Sequence, residues 1–420
     1  MRRSGGGVRT QCNVSQVMKK VEAIEGLRGY LALLVVLGHV ILFTGAAIRH
    51  PLLARLDFGT DAVRLFMAIS GYVIAGLLET RHETYPAYLT RRFFRIYPIF
   101  LLMLLVSVVI YPIHAVDCVK LSDVMPGWYQ TVALERYHTW NMHFPTHLLL
   151  ALTLLHGLVP DAVLQHATTA YLGQAWSLSL EWQFYLLAPL LLYPFHKSSL
   201  KALLALCAIA TAMHFVYPNT GAALPNHIHY FLIGIGSYYF LRPYLQGKNR
   251  FSPEFISMLV CLIPVSVILL PKQLLVFAGG WMFLLIEIVS ESSSGGGGFP
   301  AMLLTNPIAR FLGRISYSVY LNHVAVLILV MRVFLMLNNR MRSVPSFVAV
   351  LGCTGSLSIL LGAFTYQFIE KPGILLGRRL AHWFQPGSEN LRPAPIGTQT
   401  EVQNLETPGS ESVPTSGTRV

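Results

Sequence analysis

The sequence predicts an all-α, polytopic transmembrane helix bundle of about ten spans, with both termini cytoplasmic. Three observations predict it. Of 420 residues, 54% are hydrophobic and 12% charged, with a mean hydropathy of +0.54; soluble domains carry about 25% charged residues. Apolar runs near the length that crosses a bilayer, about 20 residues, recur along the chain. Between those runs, Lys and Arg collect in loops that can, with one exception, be placed on one side.

Taken in order, the expected spans are 26–45, 61–79, 93–114, 178–195, 200–217, 227–244, 255–271, 273–290, 315–336 and 345–368. The first run contains Arg28 and His39 and outlasts the apolar core of a signal peptide, so it is expected to stay as a retained span. The stretch "HLLLALTLLHGLVP", 147–160, holds His156 and Gly157 and is short for a crossing. Charge settles its treatment. If it lies re-entrant or interfacial, the basic groups at Arg81–Arg95, Lys197/Lys201, Arg242–Arg250, Arg310/Arg314 and Arg378/Arg379 all fall inside, as the positive-inside rule requires. One group dissents, because Arg332, Arg340 and Arg342 come out near the external face.

Residues 1–21 form a basic cytoplasmic tail in this reading, 22–384 the membrane domain, and 385–420 a disordered cytoplasmic tail rich in Pro, Gly, Ser and Thr. "SSSGGGG" reads as a flexible linker. Gly234 and Gly236 sit in an apolar span and read as close helix contact rather than a nucleotide loop. The net charge of +12 is assigned to cytoplasmic loops rather than nucleic acid. The five Cys form no disulfide framework, and no metal site is expected, since no CxxC or HExxH spacing occurs.

The polar groups inside the spans carry the chemistry. Arg28 and His39 are eleven positions apart, which returns a helix to within roughly 20° of its start and separates them by roughly 16 Å along the axis. Each alone has a plain explanation, snorkelling for the Arg and a core hydrogen bond for the His. Together on one face they suggest an internal site, with His39 as a general base for a hydroxyl. Ser177, Glu181 and Tyr185 form a polar stripe at i, i+4 and i+8, and a Glu in a span must face the interior or a wet cavity. Ser316, Tyr320 and His323 share another face, while Asn322 points elsewhere. Interhelical hydrogen bonding explains either stripe equally well. Arg92 and Arg95, one turn apart in "RRFFRIYP", are positive-inside flanking charge when taken alone. Beside a buried His they also suit phosphate groups, as on coenzyme A.

These stretches, in this order, resemble the acyltransferase-3 family of membrane O-acyltransferases. "GLRGYLALLVVLGHV" carries the Arg–His spacing, and "LFMAISGYVIAG" the Ser-Gly-aromatic motif at Ser70, Gly71 and Tyr72. "RRFFRIYP" carries the Arg-x-x-Arg pair. "WSLSLEWQFYLLAPLL", "GRISYSVYLNHV" and the closing "FIEKP" follow. Asn322 stands where relatives often have Trp, and Trp182 follows Glu181 where relatives have a second acid. No segment is long enough for the fused extracytoplasmic domain that some relatives carry.

The resemblance implies transfer of an acyl group, usually acetyl from acetyl-CoA, to a hydroxyl of a carbohydrate or lipid-linked glycan in a bacterial inner membrane. His39 then looks like the catalytic base, Arg28 an essential companion and Glu181 a buried catalytic carboxylate. Arg92 and Arg95 resemble contacts to the coenzyme A phosphates, and Ser70, Tyr72, Tyr185, Tyr320 and His323 line the substrate site. No tightly bound cofactor is expected, and acyl-CoA is the donor substrate. A transporter or flippase for a glycan or acylated metabolite is the rival reading, since His, Glu and Arg lining helices also describe proton-coupled carriers.

Overall fold

The computed structural model describes residues 6–46, 58–81, 83–124, 134–192, 221–245, 279–285, 299–337 and 344–385, with a few single positions between 205 and 277. Every element among them is helical. The main helices are α1 (Gly6–Phe43), α2 (Phe58–Thr80), α3 (Tyr85–Val124), α4 (Leu134–Met142), α5 (Phe144–Thr153), α6 (Trp176–Leu192), α7 (Leu224–Leu245), α8 (Phe299–Leu304), α9 (Pro307–Leu337), α10 (Val344–Thr365) and α11 (Lys371–His382). Five apolar stretches are long enough to cross a membrane: Glu22–Phe43, Phe58–Thr80, Tyr85–Lys120, Pro307–Leu337 and Pro345–His382.

The expected span count is therefore met only in part. Helices α6 and α7 occupy the places expected for 178–195 and 227–244, but neither is among the five; α6 has 17 residues. The expected spans at 200–217 and 255–271, and most of 273–290, lie outside the described residues, as do the linker 292–298 and the tail beyond 385. At the other end, α1 already begins at Gly6, well ahead of its apolar run. Stretch 147–160 resolves cleanly. Helix α5 stops at Thr153, Leu154 turns left-handed at φ 57°, and short 3₁₀ turns follow. Ten helical residues reach about 15 Å, half the hydrocarbon thickness, so α5 cannot cross alone.

Lipid is as apolar as leucine, so helices in a membrane associate through close backbone approach and hydrogen bonds rather than hydrophobic burial. Both devices are present. A Cβ on Gly29 would lie 2.7 Å from the Gly313 nitrogen, and one on Gly313 would lie 2.1 Å from the Glu25 carbonyl oxygen. These glycines let α1 and α9 touch backbone to backbone. Gly71 and Gly234 do the same for α2 and α7, where added Cβ atoms would meet Phe231 O at 2.1 Å and Ala68 O at 1.9 Å. Across helices, the Tyr317 hydroxyl donates to Ile96 O at 3.0 Å, joining α9 to α3.

Helix α9 is the central post, packed against α1, α3 and α10. It is buried on nearly every side through its middle turns. Helix α3 shows the contrary pattern. Leu101, Leu105, Val109, Ile113, Val116 and Val119 form an exposed apolar stripe at helical spacing, while Ile96, Ile99, Phe100, Met103 and Leu104 are buried behind it. A stripe of that kind on a 40-residue helix is a lipid-facing surface. The dissenting Arg332 is also accounted for: it pairs with Asp117 at 3.1 Å. Arg340 and Arg342 lie outside the described residues.

Candidate active site

Two groups of polar side chains lie inside the bundle, one above the other. The first gathers at the end of α1 and α3 that carries the arginines. Arg28 shares its electrostatic surroundings with Arg95, Glu181, Tyr185 and Glu370. Arg92 lies over the rings of Tyr88 and Tyr185, at 6.0 and 5.6 Å from their centroids. Glu181 accepts hydrogen bonds from the Tyr185 hydroxyl on its own helix and from Ser70 on α2 at 3.5 Å. The Nε atoms of Arg28 and Arg92 are buried yet donate to no acceptor among the described residues. Buried donors without acceptors are costly unless a ligand supplies oxygen.

The second group sits farther along the same helices. His39 Nδ1 lies 3.0 Å from Val35 O and 3.2 Å from His323 Nε2. The two rings stand edge to face with centroids 4.8 Å apart. His323 Nδ1 lies 2.6 Å from Tyr320 O. The Tyr320 hydroxyl donates to Gln174 O at 2.9 Å and contacts Ser177 Oγ at 2.6 Å. Gln174 in turn donates from its amide to Leu321 O at 2.7 Å, tying the 3₁₀ turn before α6 onto α9. The glycine contact explains how the imidazoles meet. Gly29 faces Gly313, and ten residues on His39 faces His323, so α1 and α9 run parallel at one register.

Burial separates a front from a back. Arg28, His39, Ser70, Ser177 and Glu181 are only half-buried. Tyr185, Tyr320, His323 and Gln174 behind them are buried. The half-buried set is distributed from the arginine group to the imidazole. Along α1 that distance is roughly 16 Å. Because α1 runs unbroken between them, Arg28 belongs to the arginine group and does not reach His39.

The expected site residues thus divide. Arg28, Arg92, Arg95, Glu181 and Tyr185 converge on one group; His39, Tyr320 and His323 on the other; Ser70 lies between, at Glu181. Tyr72 faces a different way, its ring edge-on to Tyr238 of α7 at 5.6 Å. Asn322 points elsewhere as expected and donates to Ser358 O on α10. No cluster of metal-ligating side chains occurs among the described residues.

Two residues outside the expected set join the site. Gln174 is one. The other is Glu370, buried between α10 and α11 in the π-helical turn Tyr366–Glu370. Its carboxylate accepts the Ser318 hydroxyl at 2.6 Å and is an electrostatic neighbour of Arg28 and Arg95. The single signal for it was an acid in an apolar stretch, inside "FIEKP". A π turn adds one residue to the helical turn and redirects the side chains it carries.

Comparison with known proteins gives one match. A family profile described as an acyltransferase domain matches residues 21–363. No curated protein and no solved structure matches the chain.

Proposed function

The chain belongs to the acyltransferase domain family, and from that premise we propose that it moves an acyl group, acetyl in the first instance, from acyl-CoA to a hydroxyl. The acceptor in this reading is a carbohydrate or a lipid-linked glycan, and the membrane a bacterial inner membrane. One observation carries the proposal. The buried Nε atoms of Arg28 and Arg92, which have no acceptor among the described residues, stand at one end of a run of half-buried polar side chains, and an imidazole stands roughly 16 Å away at the other. An extended pantetheine arm has a comparable reach. Phosphates at Arg28, Arg92 and Arg95 would therefore place the thioester beside His39.

The chemistry follows from that placement. His39 takes the proton of the acceptor hydroxyl as its oxygen attacks the thioester carbonyl carbon. The carbon–sulfur bond breaks, and the thiolate leaves with the proton that His39 returns. Products are an ester and free coenzyme A. Guanidinium forks suit phosphate through paired, charge-assisted hydrogen bonds. Glu181 and Glu370 temper the positive charge when no donor is bound. With the arginine end facing the cytosol, donor entry agrees with the positive-inside placement of the loops.

The test is release of free coenzyme A from acetyl-CoA by the protein in nanodiscs, with a mixed glycan extract as acceptor. General base catalysis contributes about 10² to 10⁴ in rate, so His39→Ala should lower release by that factor. Equal release from wild type and His39→Ala would remove His39 from the chemistry. Movement of a labelled glycan across the bilayer without coenzyme A release would favour a carrier instead.

A further inference from the structure

We infer that His323 is a positioning residue: it fixes His39 in the tautomer whose Nδ1 carries the proton, leaving Nε2 as the base nitrogen. The inference rests on the reading of His39 as base, and follows from what each neighbour can donate or accept. A carbonyl oxygen only accepts, so at 2.6 Å from Tyr320 O the His323 Nδ1 must carry a hydrogen. A neutral imidazole carries one such hydrogen, which makes His323 Nε2 an acceptor. His39 Nδ1 therefore faces two acceptors, His323 Nε2 at 3.2 Å and Val35 O at 3.0 Å. It is protonated between them. Val35 O already accepts the backbone N–H one turn on in α1, so His323 supplies the acceptor that is not shared with the helix.

Burial excludes the alternative role for His323. The side chain is 0% exposed while His39 is half-buried, so of the two imidazoles it is His39 that a donor or acceptor can reach. It also suits the charged state. When Nε2 takes the acceptor's proton, the imidazolium keeps its Nδ1–H on His323 Nε2, and the new charge spreads towards the second ring. A buried carboxylate does this orienting work in serine hydrolases, where a wrong tautomer lowers turnover by about 10⁴. Here a second imidazole, itself oriented by the backbone of α9, takes that place.

The test uses full-length protein in nanodiscs with isotope-labelled histidine, read by nitrogen NMR. The His39 signals are assigned by their loss in His39→Asn. Wild type should show a protonated Nδ1 and an unprotonated Nε2 at His39. In His323→Leu, which removes the acceptor at similar volume, the spectrum should move towards a mixture of tautomers. Turnover should fall about a hundredfold with the KM for acetyl-CoA unchanged. His323→Gln, whose side-chain oxygen can accept from Nδ1–H, should retain most of both. Unchanged coenzyme A binding in each variant establishes that the fold is kept. A wild-type spectrum with Nε2 protonated would overturn the inference, and so would a folded His323→Leu with unaltered turnover. The spectrum decides the tautomer even if acetyl-CoA is not turned over, so failure of the acyl-transfer reading is told apart from failure of this one.

Discussion

Glu370 shows what a single residue does in this bundle. Its carboxylate accepts the Ser318 hydroxyl and stands beside the guanidinium groups of Arg28 and Arg95. Removing it leaves positive charge in a low-dielectric interior, and a buried pair broken on one side costs about 3–5 kcal/mol. Arg28 and Arg95 are half-buried, which reduces that figure. Glu370→Ala should therefore destabilise the protein by about 2 kcal/mol, read as a lower midpoint of thermal unfolding in nanodiscs. Glu370→Gln keeps an acceptor for Ser318 but not the charge, so it should retain most of that loss. An unchanged midpoint in Glu370→Ala would mean that the carboxylate does not balance the arginines. Nothing local in the sequence announced this role. Glu370 and Arg28 are distant in the chain, and a π turn decides where the carboxylate points. Arg28 and His39 were legible for the opposite reason, since helix geometry alone sets two side chains on one face.

At the scale of helices, the glycine contact between α1 and α9 sets the geometry of the site. A side chain at Gly313 would have to occupy the place of the Glu25 carbonyl oxygen, which is backbone and cannot swing aside. Gly313→Leu should part the two helices, with a loss of about 1–3 kcal/mol from overpacking. Turnover should fall with it, because His39 and His323 lie ten residues farther along the same contact. Gly352 of α10 is the control, with nothing within 4 Å of an added Cβ. Gly352→Ala should be neutral or stabilise by about 0.5–1 kcal/mol. Thermal unfolding and coenzyme A release on both variants decide it, and a stable, active Gly313→Leu would contradict the close contact. The same physics limited what the sequence could say about elements. Long apolar runs marked α1, α2, α3, α9 and α10, closely at both ends for α2 and α10, while α1, α3 and α9 begin eight or more residues ahead of theirs. The end of α5 was harder to read, because it depends on Leu154 turning left-handed with neither Gly nor Pro at that position. The motif groups Tyr72 with Ser70, yet two positions along a helix is more than half a turn, and the ring faces α7.

For the molecule as a whole, the proposed function puts a donor end and a reacting centre at opposite ends of a run of half-buried polar side chains. Facing positions within each helix were legible, because period and azimuth are fixed. Which stripe meets which was not, since Ser70–Glu181, Ser177–Tyr320 and His39–His323 each join residues more than a hundred positions apart. The pair Arg332–Asp117 is another case: the charge that broke the positive-inside pattern carries its counter-ion from α3. Binding of coenzyme A by the protein in nanodiscs tests the separation most directly, because it needs neither the acceptor nor turnover. Wild type, His39→Ala and Arg92→Ala/Arg95→Ala are compared by calorimetry. Hydrogen bonds to charged groups contribute about 1.5–3 kcal/mol each, so the double variant should bind more than tenfold more weakly, while His39→Ala binds like wild type. Equal affinity in all three, or affinity lost only with His39→Ala, would contradict the account.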